Sequence, residues 1–168
     1  MKDWDNDEKK VRWLFFLYLL LVIKLTIFKY PYAELAEIAR TWQRHVILEG
    51  LSTANFTFFK TIVMYIRYAD RLNSFENLAG NLLMFIPFGC MLPMLHEKAD
   101  KLWVVAANAF LFIVGIELFQ LVSAFGAFDV DDILLNMAGV FLGFGAYKLV
   151  KGIVLQFGGA YERETEGN

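Results

Sequence analysis

The sequence predicts an all-α integral membrane protein. Of 168 residues, 58% are hydrophobic and 17% aromatic, with only three prolines, which is not the composition of an ordinary soluble domain. The apolar residues gather into runs near the ~20 residues a helix needs to cross a hydrocarbon core of ~30 Å. Charged residues fall mostly between those runs. Four transmembrane helices are expected, at about residues 11–28, 77–95, 102–122 and 132–150. An extracytoplasmic amphipathic and aromatic segment, residues 29–76, separates the first two, and residues 151–168 form a cytoplasmic tail. Residues 1–168 read as a single membrane domain.

The first run is interrupted only by Lys24, one turn from its far end, where a long stem can lie along lipid while the ammonium snorkels to the interface. Lys29, Tyr30, Pro31 and Tyr32 follow instead of a small-residue cleavage site, so the run reads as a retained anchor. In the segment after it, Leu35, Ile38, Trp42 and Val46 recur at helical spacing and predict an amphipathic helix over residues 34–49. Residues 55–68 hold Phe56, Phe58, Phe59, Tyr65 and Tyr68, side chains that favour the headgroup zone, so the segment should cap the outer face of the bundle. Asn73-x-x-Glu76 reads as a capping box for the second span, and Pro87 should kink that span because its ring clashes with the carbonyl of Leu83. Gly80 and Gly89 there, and the stripe Gly139, Gly143, Ala146 in the fourth span, predict close helix approach. Cys90 is the only cysteine, which excludes an intrachain disulfide and makes packing as a small hydrophobe its expected role.

A net charge of −2, without finger spacing or a phosphate-binding loop, argues against nucleic acid as a partner. Lys2, Lys9, Lys10 and Arg12 at the start, Lys98 and Lys101 after the second span, and Lys148, Lys151 and Arg163 at the end put both termini and that loop in the cytoplasm. The short loop 123–131 has no basic residue and falls outside. Lys29, Arg40, Arg44, Lys60, Arg67 and Arg71 in the outer segment oppose this bias, but long segments contribute less to it.

Polar residues inside the apolar runs are the functional clue. Asn77 with Asn81, Glu117 with Gln120, and Asp132 with Asn136 are each spaced to share one helix face, and helical rise puts all three pairs at one depth, in the outer leaflet. A carboxylate at membrane depth costs at least ~2.5 kcal/mol, so such faces should converge on a shared interior. Asn108, half a turn out of phase with Glu117 and deeper, stays outside the layer. Asn81, Glu117, Gln120, Asp129, Asp132 and Asn136 are the candidate binding residues, with Asn77 and Asp131 secondary. Two plainer roles compete: interhelical hydrogen bonds that only fix register, and, for Asp131, a cap at the positive end of the fourth helix. Three acids in four residues, Asp129, Asp131 and Asp132, fit a proton, cation or amine site better than register alone. The layer has no His, Cys or Lys; His96 belongs to the cytoplasmic loop, His45 to the outer segment, and Ser123 has no local base. An enzyme is therefore the weaker expectation, and no cofactor or metal is expected, since no metal-ligand spacing is present.

Asn81-x-x-x-Phe85-x-Pro87-x-Gly89, Glu117-x-x-Gln120 and Phe128-Asp129-x-x-Asp132-x-x-x-Asn136-x-x-Gly139, in that order, resemble the VanZ-like family of small bacterial membrane proteins. Asn55-Phe56-Thr57-Phe58-Phe59-x-Thr61-Ile62 looks like that family's outer-segment motif, with Phe58 where proline is usual, and adds Asn55 as a secondary candidate. Ala124, Phe125, Gly126 and Ala127 stand where the family often has an arginine. The resemblance spans roughly residues 10–150 and implies a multi-pass protein of the bacterial cell membrane that lowers susceptibility to glycopeptide antibiotics, particularly the lipid-tailed teicoplanin type. The expected activity is non-enzymatic engagement, at the outer-leaflet polar pocket, of an amphiphile such as a lipoglycopeptide or a lipid-linked cell-wall precursor. Membrane lipid is the surrounding partner, and an oligomer is compatible with four helices. The alternative is a small proton-coupled transporter or flippase of a lipid-linked envelope molecule.

Overall fold

The computed structural model describes residues 2–69, 74–95 and 97–166, with side chains for residues 8–69, 76–95 and 99–156. The described residues are mostly helical: α1 (Lys2–Thr26), α2 (Tyr32–Thr41), α3 (His45–Thr53), α4 (Lys60–Arg67), α5 (Ser74–Met84), α6 (Ile86–Leu95), α7 (Leu102–Ser123) and α8 (Val130–Glu166), with a short 3-10 turn at Glu97–Asp100. The expected capping box at Asn73 and the loop position of His96 lie outside the described residues.

Three of the described helical stretches are long and apolar enough to cross a membrane, Glu76–Leu95, Leu102–Ser123 and Val130–Gln156, rather than the expected four. The shortfall is in α1. Glu8, Lys9, Lys10 and Arg12 crowd its start and Lys24 its last turn, leaving an uncharged run of about 16 Å by helical rise, against a core of ~30 Å. Three spans alone would leave their flanking segments on opposite sides, so two cytoplasmic termini do not follow from them. Lys24 Nζ donates to the carbonyl of Phe28 at 2.7 Å, in the turn just past the end of α1. The fourth expected span also runs longer than predicted, since Ile153, Val154 and Leu155 continue the exposed apolar surface past residue 150.

Pro87 does what its ring dictates. The helix breaks at Phe85, and Pro87 falls in the first turn of α6, where a missing N–H is harmless. The break frees carbonyls, and the Tyr18 hydroxyl of α1 donates to the Met84 carbonyl at 2.7 Å. Phe85 and Phe88 on either side of the break are buried, and Phe88 stacks on Phe112 of α7 with ring centroids 5.9 Å apart. With Val22, Val105, Ala109, Ile113 and Val140 they form the core.

Against α8, helices α5 and α6 pack backbone to backbone. A methyl group on Gly139 would collide with the carbonyl of Leu82, on Gly143 with that of Ile86, and on Gly89 with that of Val140. Cys90 completes this seam, its Sγ 3.0 Å from the Gly143 carbonyl oxygen. Gly80 differs from expectation: nothing lies within 4 Å of where its Cβ would be, so it serves no close approach.

The segment between α1 and α5 folds over one end of the bundle. The single amphipathic helix expected over residues 34–49 is two helices, because Trp42 leaves helical geometry (φ −57°, ψ 127°) and its indole donates to the carbonyl of Val122, at the end of α7, at 2.8 Å. Helix α3 then lies on α7 at Gly50 and Leu121.

Candidate functional site

The amino end of α8 is bolted to the overlying segment by two carboxylates. Asn55 and Asp129 form an isolated parallel bridge, with Asn55 N–H donating to Phe128 O at 2.9 Å and Val130 N–H to Asn55 O at 3.0 Å. The Asp129 carboxylate accepts from Asn55 Nδ2 at 2.8 Å, from Thr61 Oγ1 at 2.5 Å and from the backbone N–H of Asp131 at 2.8 Å. Asp131, fully buried, accepts from the backbone N–H groups of Phe59 (2.5 Å), Thr61 (2.7 Å) and Ile62 (3.2 Å). A buried carboxylate is tolerable here because it sits on the positive amino ends of both α4 and α8 and is saturated with donors. It also holds Phe59 in left-handed geometry, φ 65°, which is rare for an aromatic residue.

Beside this bolt lies a cavity of about 340 Å³. Helix α5 contributes Asn77 and Asn81, α7 contributes Glu117 and Gln120, and α8 contributes Asp132 and Asn136. The three pairs therefore meet in one layer. Asn81 Nδ2 donates to Asp132 Oδ1 at 2.5 Å, linking α5 to α8. Glu117 Oε2 accepts the Asp129 N–H at 3.0 Å, linking α7 to the start of α8, and Gln120 Nε2 donates to the Thr26 carbonyl of α1 at 3.1 Å. Asn136 is 5% exposed, and its side-chain oxygen is buried with no hydrogen-bond partner. A buried acceptor left unmade costs ~1–3 kcal/mol, so that oxygen is a standing demand for a donor.

Six sequence candidates, Asn77, Asn81, Glu117, Gln120, Asp132 and Asn136, share the cavity wall; Asp129, Asp131 and Asn55 form the bolt and do not line it. Asn108 turns back to its own helix, donating to Val104 O at 2.8 Å, and Ser123 Oγ accepts from Phe125 N–H at 3.2 Å at the end of α7. Sequence reasoning missed Lys29, Tyr65 and Glu76, which also line the cavity. Lys29 brings a cation to the cavity wall; the sequence marks it only as a basic residue of the outer segment. Tyr65 comes from α4, where burial, reinforced by the carboxylates of Asp132 and Asp129, pushes its phenol above the ordinary value and keeps it a neutral donor.

Three apolar helices of spanning length, with a polar cavity at one end, mark a helical membrane protein. Residues 15–151 match the family model described as VanZ/LLP1, and the chain belongs to that family. It is 28% identical over 140 residues to "Protein VanZ" of Enterococcus faecium, a match covering 82% of this chain and 73% of the relative. No solved structure matches it.

Proposed function

We propose that this protein acts in the bacterial cell membrane, with the polar cavity facing the outer leaflet, where it engages an amphiphile and lowers susceptibility to lipoglycopeptides of the teicoplanin type. The amphiphile is the antibiotic itself or a lipid-linked cell-wall precursor. The observation that carries this reading is the convergence of Asn81, Glu117, Gln120, Asp132 and Asn136 from three helices on one cavity whose Asn136 oxygen is unsatisfied. Lys101, Lys148 and Lys151 gather at the opposite end of the bundle, which supports a cytoplasmic position for that end and for the carboxyl terminus. Family membership supports the resistance role.

The test is a susceptibility panel with teicoplanin and vancomycin in a deletion strain complemented by wild type, Glu117→Gln or Asp132→Asn. Both substitutions keep an acceptor oxygen for the Asp129 N–H and for Asn81, so the fold should survive. Wild type restores protection against teicoplanin more than against vancomycin, and both variants lose it at unchanged membrane abundance. Full protection in both variants sinks the proposal. Proton-coupled transport, the competing reading, needs the cavity to open toward the other side, and the backbone contacts of Gly89, Gly139 and Gly143 pack α5 and α6 closely against α8.

A further inference from the structure

The polar cavity does not end at its polar wall. It shares Leu25, Gly80 and Met84 with an apolar groove of about 370 Å³ that runs between α1 and the α5–α6 break, along Leu21, Leu83 and Pro87. At the junction stands Gly80, with nothing within 4 Å of where its Cβ would be. Gly80 lines both spaces, so a larger side chain there would stand where cavity and groove meet. Leu21, Leu25 and Leu83 are exposed along the groove, so it opens sideways, on the surface that the spans turn toward lipid. From Tyr18 to Leu25 it follows α1 for about 10 Å, the reach of a stretch of acyl chain.

The head end has its own selectivity. Glu76, Glu117 and Asp132 surround the cavity, with Lys29 as the one cation among the described lining residues. An anionic head would meet three carboxylates. A zwitterion fits: its ammonium toward the acids, its anionic group toward Lys29.

We propose that cavity and groove are one site, which takes a zwitterionic, amine-bearing lipid laterally from the bilayer, head into the cavity and acyl chain along the groove past Gly80. This rests on the polar cavity being the binding site, as proposed above, and adds the chemical class of the head and the seat of the tail.

The test uses the full chain in phosphatidylglycerol nanodiscs, probed with lysophosphatidylethanolamine carrying a photoreactive diazirine in its chain. Labelling concentrates on peptides containing Leu21, Leu83 and Pro87. Unlabelled lysophosphatidylethanolamine competes at least ~10-fold better than lysophosphatidylglycerol of the same chain length, the factor expected when one like-charge contact replaces an attractive one. Gly80→Leu, whose Cβ meets no neighbour, cuts groove labelling ~15-fold, as loss of about two seated methylenes predicts. Leu83→Trp, on the exposed wall, does the same without touching the junction. Labelling spread evenly over the lipid-facing sides of α7 and α8, or equal competition by the two lysolipids, overturns the proposal. If groove labelling fails while Glu117→Gln still removes protection against teicoplanin, the groove alone falls. If groove labelling and the head preference both persist in Glu117→Gln, the polar cavity is not the binding site and both readings fall.

Discussion

Helix α8 meets its neighbours by opposite means along its length. At its amino end the contacts are made by side chains: Asp129 and Asp131 with the overlying segment, Asp132 with Asn81, and Glu117 with the backbone of Asp129. Two to four turns on, at Gly139 and Gly143, they are made by the lack of side chains, which lets the carbonyls of Leu82 and Ile86 come against the helix. A side-chain contact can be exchanged for an isostere that keeps its shape and changes only charge. A backbone contact cannot, because any addition pushes two helices apart. The seam therefore sets whether the bundle assembles, and the polar end is where chemistry can vary on an assembled bundle.

The sharpest way to break this contrast is at the seam. Gly143→Leu should cost ~3 kcal/mol or more, the upper end of overpacking, because the atom in the way is a backbone oxygen that no rotamer change can move. The detergent-solubilised protein should lose its cooperative thermal transition, and membrane abundance should fall. A stable, abundant Gly143→Leu would mean that the seam is not closed. Asp131→Asn comes next, at ~2–3 kcal/mol, because it leaves a buried amide facing three backbone donors in place of a carboxylate. Its loss should be local: faster amide exchange at Phe59, Thr61 and Ile62, with α6 and α8 unchanged. Uniform loss of protection across the spans would show that the bolt holds the whole bundle.

Much of this was legible in the sequence, and the misses share a cause. The paired polar spacings on α5, α7 and α8 predicted a common layer because helical periodicity alone fixes which side chains share a face. The glycine stripe was legible for the same reason. The break at Phe85 followed from the proline ring. Lys29 was not legible as a cavity residue, because it lies in the turn after α1, where no periodicity relates it to the spans. Nor could spacing separate Asp131 from Asp132: consecutive helix residues point about 100° apart, and only the position of α4 decides which one is the bolt. Gly80 was misjudged because a glycine that admits a helix and one that faces open space look identical in sequence.

A smaller effect of opposite sign sharpens the comparison from the other side. Asn136→Leu removes a buried oxygen without a partner and puts an apolar side chain with the same branching, though bulkier, in its place, so it should raise stability by ~1 kcal/mol where the cavity takes up the added bulk. The same substitution should abolish protection against teicoplanin. Lower stability together with retained protection would make Asn136 a register pin rather than part of a site.

The smallest effect belongs to the end of the bundle farthest from the cavity. Asp100, in the 3-10 turn, lies 2.8 Å from Lys148 Nζ and 3.2 Å from Lys151 Nζ, all three more than a third exposed. The hydrogen bond from Lys148, ahead of that from Lys151, holds the Asp100 carboxyl down at about 2, against an ordinary value near 4. Because the folded value is the lower one, the ion pairs stabilise the fold above pH ~4, and their contribution disappears as the pH drops through about 2. Solvent and salt screen exposed pairs, so Asp100→Asn should leave the melting temperature at pH 7 within reproducibility. It should reduce only the difference in melting temperature between pH 4 and pH 2, and only at low salt. A clear loss of stability at pH 7 would give this end of α8 a structural anchor comparable to Asp131, and the contrast between a bolted amino end and a loosely tied far end would no longer hold.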